Sequence, residues 1–119
     1  MFGRSLYRKV SALRALLDRI EMEVRRLEDS AEKLDRRLRL KGIWIDWRYV
    51  RGHGPYACLR WIEGGRKRAM YLGKKAELPK LPDKEVKVST EKLRQINERM
   101  RKLSEACEKC LKILRNVVE

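Results

Sequence analysis

The sequence predicts an α+β fold: a long antiparallel helical hairpin of coiled-coil type, with a three-stranded antiparallel β-sheet inserted between its helices. Three observations predict it. Two long segments carry apolar residues at alternating steps of three and four, the period of a coiled-coil seam. Between them lies a stretch rich in aromatic and β-branched residues, cut by clusters of Gly and Pro. Positive charge gathers in that middle stretch and not on the flanking helices.

The first unit is residues 1–41, a long coiled-coil helix. Over 4–40, Leu6, Val10, Leu13, Leu17, Ile20, Val24, Leu27, Ala31, Leu34 and Leu38 form an unbroken stripe with no Gly or Pro inside. At 1.5 Å per residue the rod is about 55 Å long, and Gly42 supplies a stop. Residues 42–75 form a basic sheet module with strands at 43–50, 56–62 and 66–72. Gly52-His53-Gly54-Pro55 breaks the first pair of strands, and Glu63-Gly64-Gly65 turns the second. Two registers are open there. A three-residue turn at 63–65 pairs Ile62 with Arg66 and sets Arg60 opposite Arg68. A two-residue Gly64–Gly65 type I′ turn flips the third strand and brings Lys67 out beside Arg60. The first is favoured, because it keeps Arg66 and Arg68 off the apolar face.

Residues 76–88 hold Pro79 and Pro82 and read as an extended return linker. Residues 89–119 form the second coiled-coil helix, with Ser89 as N-cap and Val88 stapled onto Leu93. Its stripe is Leu93, Ile96, Met100, Leu103, Cys107, Cys110, Leu114 and Val117. One stripe needs another to cover it, so an antiparallel pairing sets Leu38 near Leu93 and Val117 near Leu13 or Leu17.

Composition excludes several classes. The chain has 119 residues, 40% of them charged, and a formal net charge of +14. No stretch approaches the roughly 20 apolar residues of a membrane span, and no apolar h-region follows the N-terminus, so a cytoplasmic protein is expected. Three cysteines are an odd number without secretory context, which argues against a disulfide framework. Asn and Gln are scarce (Gln95, Asn97 and Asn116), while Lys, Arg and Glu abound, a composition of hyperthermophiles, archaeal or bacterial. The size leaves little room for a large catalytic pocket, and the basic excess points to a polyanionic partner, nucleic acid before membrane.

The charge is uneven. Segments 1–40, 41–75, 76–88 and 89–119 carry +4, +7, 0 and +3, so half of the +14 sits on the sheet. Strand alternation places Ile43, Ile45, Trp47 and Tyr49, with Ala57, Leu59 and Trp61, on an apolar face. The opposite face receives Arg48, Arg60, Arg66 and Arg68, with Trp44 and Tyr56 as flat neighbours. Like charges across strands destabilise a free sheet, and a phosphate backbone relieves that cost. Arginine offers a bidentate fork to phosphate or guanine, and a small sheet fits the major groove. The expected contacts are therefore Arg48, Arg60, Arg66, Lys67, Arg68, Lys74 and Lys75, with Trp44, Tyr56, Arg51 and His53 adding stacking or groove contacts. Double-stranded DNA is the favoured partner. Single-stranded DNA or RNA, stacked on Trp44 and Tyr56, is the alternative, and a coiled-coil assembly protein is the alternative from another class.

The run GPYACLRWIEGGRKRAMYLGK at 54–74 resembles a recurrent β-module, GPY-x-YLRW-x-EGG-[KR]-x-R-x-x-YLGK, of small basic archaeal and bacterial proteins of uncharacterised function. It is also similar to hairpins near the N-termini of some transposases and integrases. The resemblance covers about 20 to 30 of the 119 residues. Cys58 stands where an aromatic is frequent, and Met70 where a basic residue is common. The resemblance implies a DNA-associated role and carries over no catalytic residue.

Other motifs point to structure. Cys107 and Cys110 form a Cys-x-x-Cys, but no second pair completes a zinc site, and both fall on the helical stripe. Asp46 and Glu63, the only acids at 41–75, form no evident catalytic pair. No cofactor, metal site or enzymatic activity is expected. A second helix of about 30 residues would leave Phe2, Leu6, Tyr7 and Val10 overhanging. Leu16, Leu111, Ile113 and Val118 broaden the apolar surface at the same end, which predicts a homodimer through Leu6, Tyr7, Val10, Leu16, Leu111, Ile113 and Val118.

Overall fold

The computed structural model describes residues 2–72 and 84–119. The elements run α1 (Arg4–Leu40), β1 (Trp44–Val50), β2 (His53–Glu63), β3 (Arg66–Tyr71) and α2 (Lys84–Val118), the expected α+β arrangement of two helices around an antiparallel sheet. Helix α1 ends in a Schellman motif: Ile43 N–H donates to Leu38 O, and Gly42 N–H donates to Arg39 O, both at 3.0 Å. Gly42 makes this possible at φ +79°. Leu38 and Ile43, the two apolar residues that bracket the motif, both enter the core. The stop therefore also aims the chain into β1.

The sheet order is β1-β2-β3. Its second turn corrects the favoured register. Glu63 pairs with Arg66, Ile62 with Lys67, Trp61 with Arg68 and Arg60 with Ala69. Gly64 and Gly65 sit at φ +57° and +77°, the two left-handed positions of a type I′ turn, whose twist matches that of the strands. The first turn is also tighter than expected. Arg51 and Gly52 take φ +53° and +79° and Val50 pairs with His53, so the segment 53–55 belongs to β2 and not to a loop. An irregularity between Arg48 and Val50 absorbs the offset, and Tyr49, expected on the apolar face, is exposed. Gly54 has φ +142°, and a Cβ there would lie 3.0 Å from Arg48 O, so the hairpin closes only on glycine.

Helix α2 starts at Lys84, five residues before the expected position. Ser89 is not a cap but a buried residue on the packed face, and Val88 is exposed rather than stapled. The stripe simply continues backward through Thr90 to Val86, and the Thr90 hydroxyl donates to Val86 O at 2.7 Å within the helix. Five residues of the proposed linker are thus helical, and the rest of it lies outside the described residues.

The core gathers at the sheet end. Ala31, Leu34 and Leu38 of α1 meet Val86, Leu93 and Ile96 of α2 and the inner sheet residues Ile45, Ala57, Leu59 and Met70. Leu38 and Leu93 both belong to this cluster, but Leu38 lies beside residues 84–89 of α2 and not level with Leu93. Each helix also reaches a strand's backbone. The Ile45 N–H of edge strand β1 donates to Asp35 Oδ1 at 3.3 Å, and the Ala57 N–H donates to Asn97 Oδ1 at 3.1 Å. Because Leu72 N–H already reaches Ala57 O, Asn97 takes over the ladder where β3 ends.

Farther along, Arg99 Nε and Nη2 meet the Glu23 carboxylate at 2.6 and 3.1 Å. Carried along the helices at equal rise, that offset brings Val117 level with Leu6 and not with Leu13 or Leu17. With 37 and 35 residues the helices are nearly equal, so the long overhang does not occur. The distal stripes are nevertheless exposed, from Leu6 through Leu17 on α1 and from Leu111 to Val118 on α2.

Candidate nucleic-acid interface

The pleat sorts the sheet's side chains. Paired residues share a face, so Trp44, Arg60 and Ala69 form one outer row, and Asp46, Cys58 and Tyr71 the next. Arg48 beside Tyr56 and Ile62 beside Lys67 complete the outer face. This places Arg48, Arg60, Trp44 and Tyr56 together as expected. It also corrects Arg66 and Arg68, which pair with Glu63 and Trp61 and so share the pleat side of Leu59 and Met70. The two-residue turn causes that flip. Arg66, Lys67 and Arg68 are all exposed, so the hairpin tip is basic on both sides, with Arg68 Nε 3.8 Å from Glu63 Oε2.

Asp46 organises the outer face. Its Oδ2 accepts from Arg48 Nε at 2.9 Å and from Arg60 Nε and Nη2 at 3.1 Å each. The hydrogen bond to Asp46 raises the Arg48 guanidinium above its ordinary pKa. The repulsion expected between like charges is therefore relieved within the protein. Cys58, between Asp46 and Tyr71, is buried although it points outward.

Where α2 passes the end of β3, sheet and helix enclose a cleft of about 690 Å³. Arg48, Arg51, His53, Tyr56 and Tyr71 come from the sheet side, and Asn97 and Arg101 from α2. None of the described residues lining it is acidic. The Arg101 guanidinium carbon lies 6.0 Å from the Tyr56 ring centre, a cation–π geometry, and Arg101 Nε is buried without a hydrogen-bond partner among the described residues. His53 Nδ1 stands 3.8 Å from Glu108 Oε1 of α2. Arg94 ties the same region together, its Nε donating to Leu72 O at 3.0 Å.

Sequence reasoning missed Tyr71, Asn97 and Arg101. Tyr71 was legible in principle, because the two-residue register puts it outside by alternation. Nothing in the α2 sequence marks Arg101 or Asn97, which reach the sheet only through the packing of the hairpin. Lys74 and Lys75 lie outside the described residues. Cys107 and Cys110 are half-buried on α2, and no three potential metal ligands come together among the described residues.

No helix among the described residues is long and apolar enough to cross a membrane. No curated protein and no solved structure matches the chain. A family model does, the domain of unknown function DUF6788, over residues 13–83. That match runs from the first third of α1 through the whole sheet and takes in more than half of the chain, which therefore belongs to the DUF6788 family.

Proposed function

We propose that the chain is a non-enzymatic nucleic-acid-binding protein that holds double-stranded DNA against the outer face of its sheet. One observation carries the reading. Arg48, Arg51, Arg60, Lys67 and Arg101 are grouped with Trp44, Tyr56 and Tyr71 on one side of the molecule, and Asp46 is the one acid among the described residues of the outer sheet face. Arg66 and Lys67 meet no described carboxylate and are free for phosphate, while Arg48 and Arg60 would share theirs with Asp46. The exposed tip of the β2–β3 hairpin, basic on both sides, is a two-stranded ribbon of the kind a major groove admits.

Binding to duplex DNA is measured at several salt concentrations. Affinity falls steeply with salt, and Arg51→Ala and Lys67→Ala each lower the slope of log affinity against log salt by about one. A salt-independent affinity sinks the reading. The exposed distal stripe favours a second reading, a coiled-coil assembly protein. It predicts that these two substitutions leave function intact, while polar changes along the stripe abolish it.

A further inference from the structure

We propose that the cleft between the outer sheet face and α2 receives one unpaired nucleotide of a bound strand, with its base on Tyr71 and its phosphate on Arg48 and Arg51. The inference rests on the nucleic-acid reading above and adds a strand-end or junction preference to it. Three features of the cleft carry it. Its volume, about 690 Å³, is that of a small-ligand site, and a base pair within a stacked duplex stays at the rim of such a concavity. Its walls are flat and cationic: Tyr71 is half-exposed, and the Tyr56 ring is held on one side by Arg101 at 6.0 Å. This is the combination that takes bases by stacking and backbone by charge. Finally, the Arg101 Nε–H has no acceptor among the described residues, so the guanidinium on the cleft wall is neutralised by no described carboxylate and adds positive charge to the cleft. None of the described lining residues is a carboxylate; Asp46 shares Arg48 and Glu108 stands near His53, whereas Arg51, at φ +53° in the turn, meets no described carboxylate and is the freer phosphate contact.

The test uses the full chain with a short blunt duplex and the same duplex extended by a short single-stranded overhang, compared at one salt concentration. The overhang tightens binding about tenfold. Tyr71→Ala removes that gain, so that blunt and extended duplexes bind alike, whereas Tyr71→Phe, which keeps the ring, keeps it. If the overhang gives no gain, or Tyr71→Ala keeps it, the cleft assignment fails while the duplex reading stands. If neither DNA binds, both fail together. Thymidine monophosphate is added as competitor: displacement only at millimolar concentration supports the strand assignment, whereas displacement at micromolar concentration makes the cleft a free-nucleotide site and overturns it.

Discussion

Asp46 and Asn97 show what single side chains decide in this molecule. Asp46 accepts from two arginines at once, which steadies the outer face and withholds positive charge from it. Asp46→Asn is therefore expected to raise affinity for duplex DNA and to steepen the salt slope by about one or two, since two guanidiniums become available to phosphate. Titrations of both proteins at several salt concentrations check this, and an unchanged slope contradicts it. Asn97 has a structural role at the edge of the cleft. Its carbonyl replaces a missing strand for the buried Ala57 N–H. Asn97→Ala is expected to cost about 1–3 kcal/mol by leaving that donor unpaired, read as a shift in urea midpoint and as faster exchange of the Ala57 amide. Asn97→Asp keeps the acceptor and restores protection of that amide.

At the scale of elements, the helices are held by a core at one end and by an ion pair midway. The hydrogen bond from Arg99 lowers the Glu23 carboxyl below its ordinary value of 4.5. A carboxyl depressed in the folded state contributes stability above its unfolded pKa and loses it as pH falls through the folded value. The stability gap between the parent and Glu23→Gln should thus be present at neutral pH, disappear in acid, and shrink with salt, as exposed pairs do. Denaturation midpoints at neutral and acidic pH measure it. The core contributes more. Leu93 is fully buried between helix and sheet, and Leu93→Ala is expected to cost about 2–5 kcal/mol.

The whole molecule is a rod of 71 × 25 × 19 Å with its core at the sheet end. The two helices leave the distal ends of their stripes uncovered, with Leu13 and Leu17 on α1 and Leu114 on α2 more than 40% exposed. We propose that a second hairpin laid on this end would complete a four-helix bundle. The chain is expected to sediment as a dimer, and Leu17→Glu with Leu114→Glu to make it monomeric while its sheet-end core stays folded. A chain lacking residues 1–10 separates contributions along the stripe: if it stays fully dimeric, Leu6, Tyr7 and Val10 are not at the interface.

Much of this was legible because it depends on local periodicity. The stripe from Leu6 to Leu38 dictates a helix whatever it packs on, and Gly42 followed by Ile43 dictates where it ends. Alternation in 43–50 and 56–62 separates Ile45 and Leu59 from Asp46 and Arg60 for the same reason. Two local choices were balanced, and the packing tipped them. Ser89 has the chemistry of a cap, but burying Val86 against the core draws the helix back to Lys84. Turns of two or three residues both suit Glu63-Gly64-Gly65 in outline; the left-handed Gly64–Gly65 pair sets strand three in the register that buries Met70. The cleft was beyond any local reading. Arg101 and Arg48 are distant in sequence, and only the antiparallel return of α2 past the end of β3 brings them to one surface. Period and composition are local properties, so the chain's own residue order dictates the elements and the segment that holds the charge. Which charges face together is a matter of the assembled fold, because it depends on strand register and on the helix that returns across the sheet.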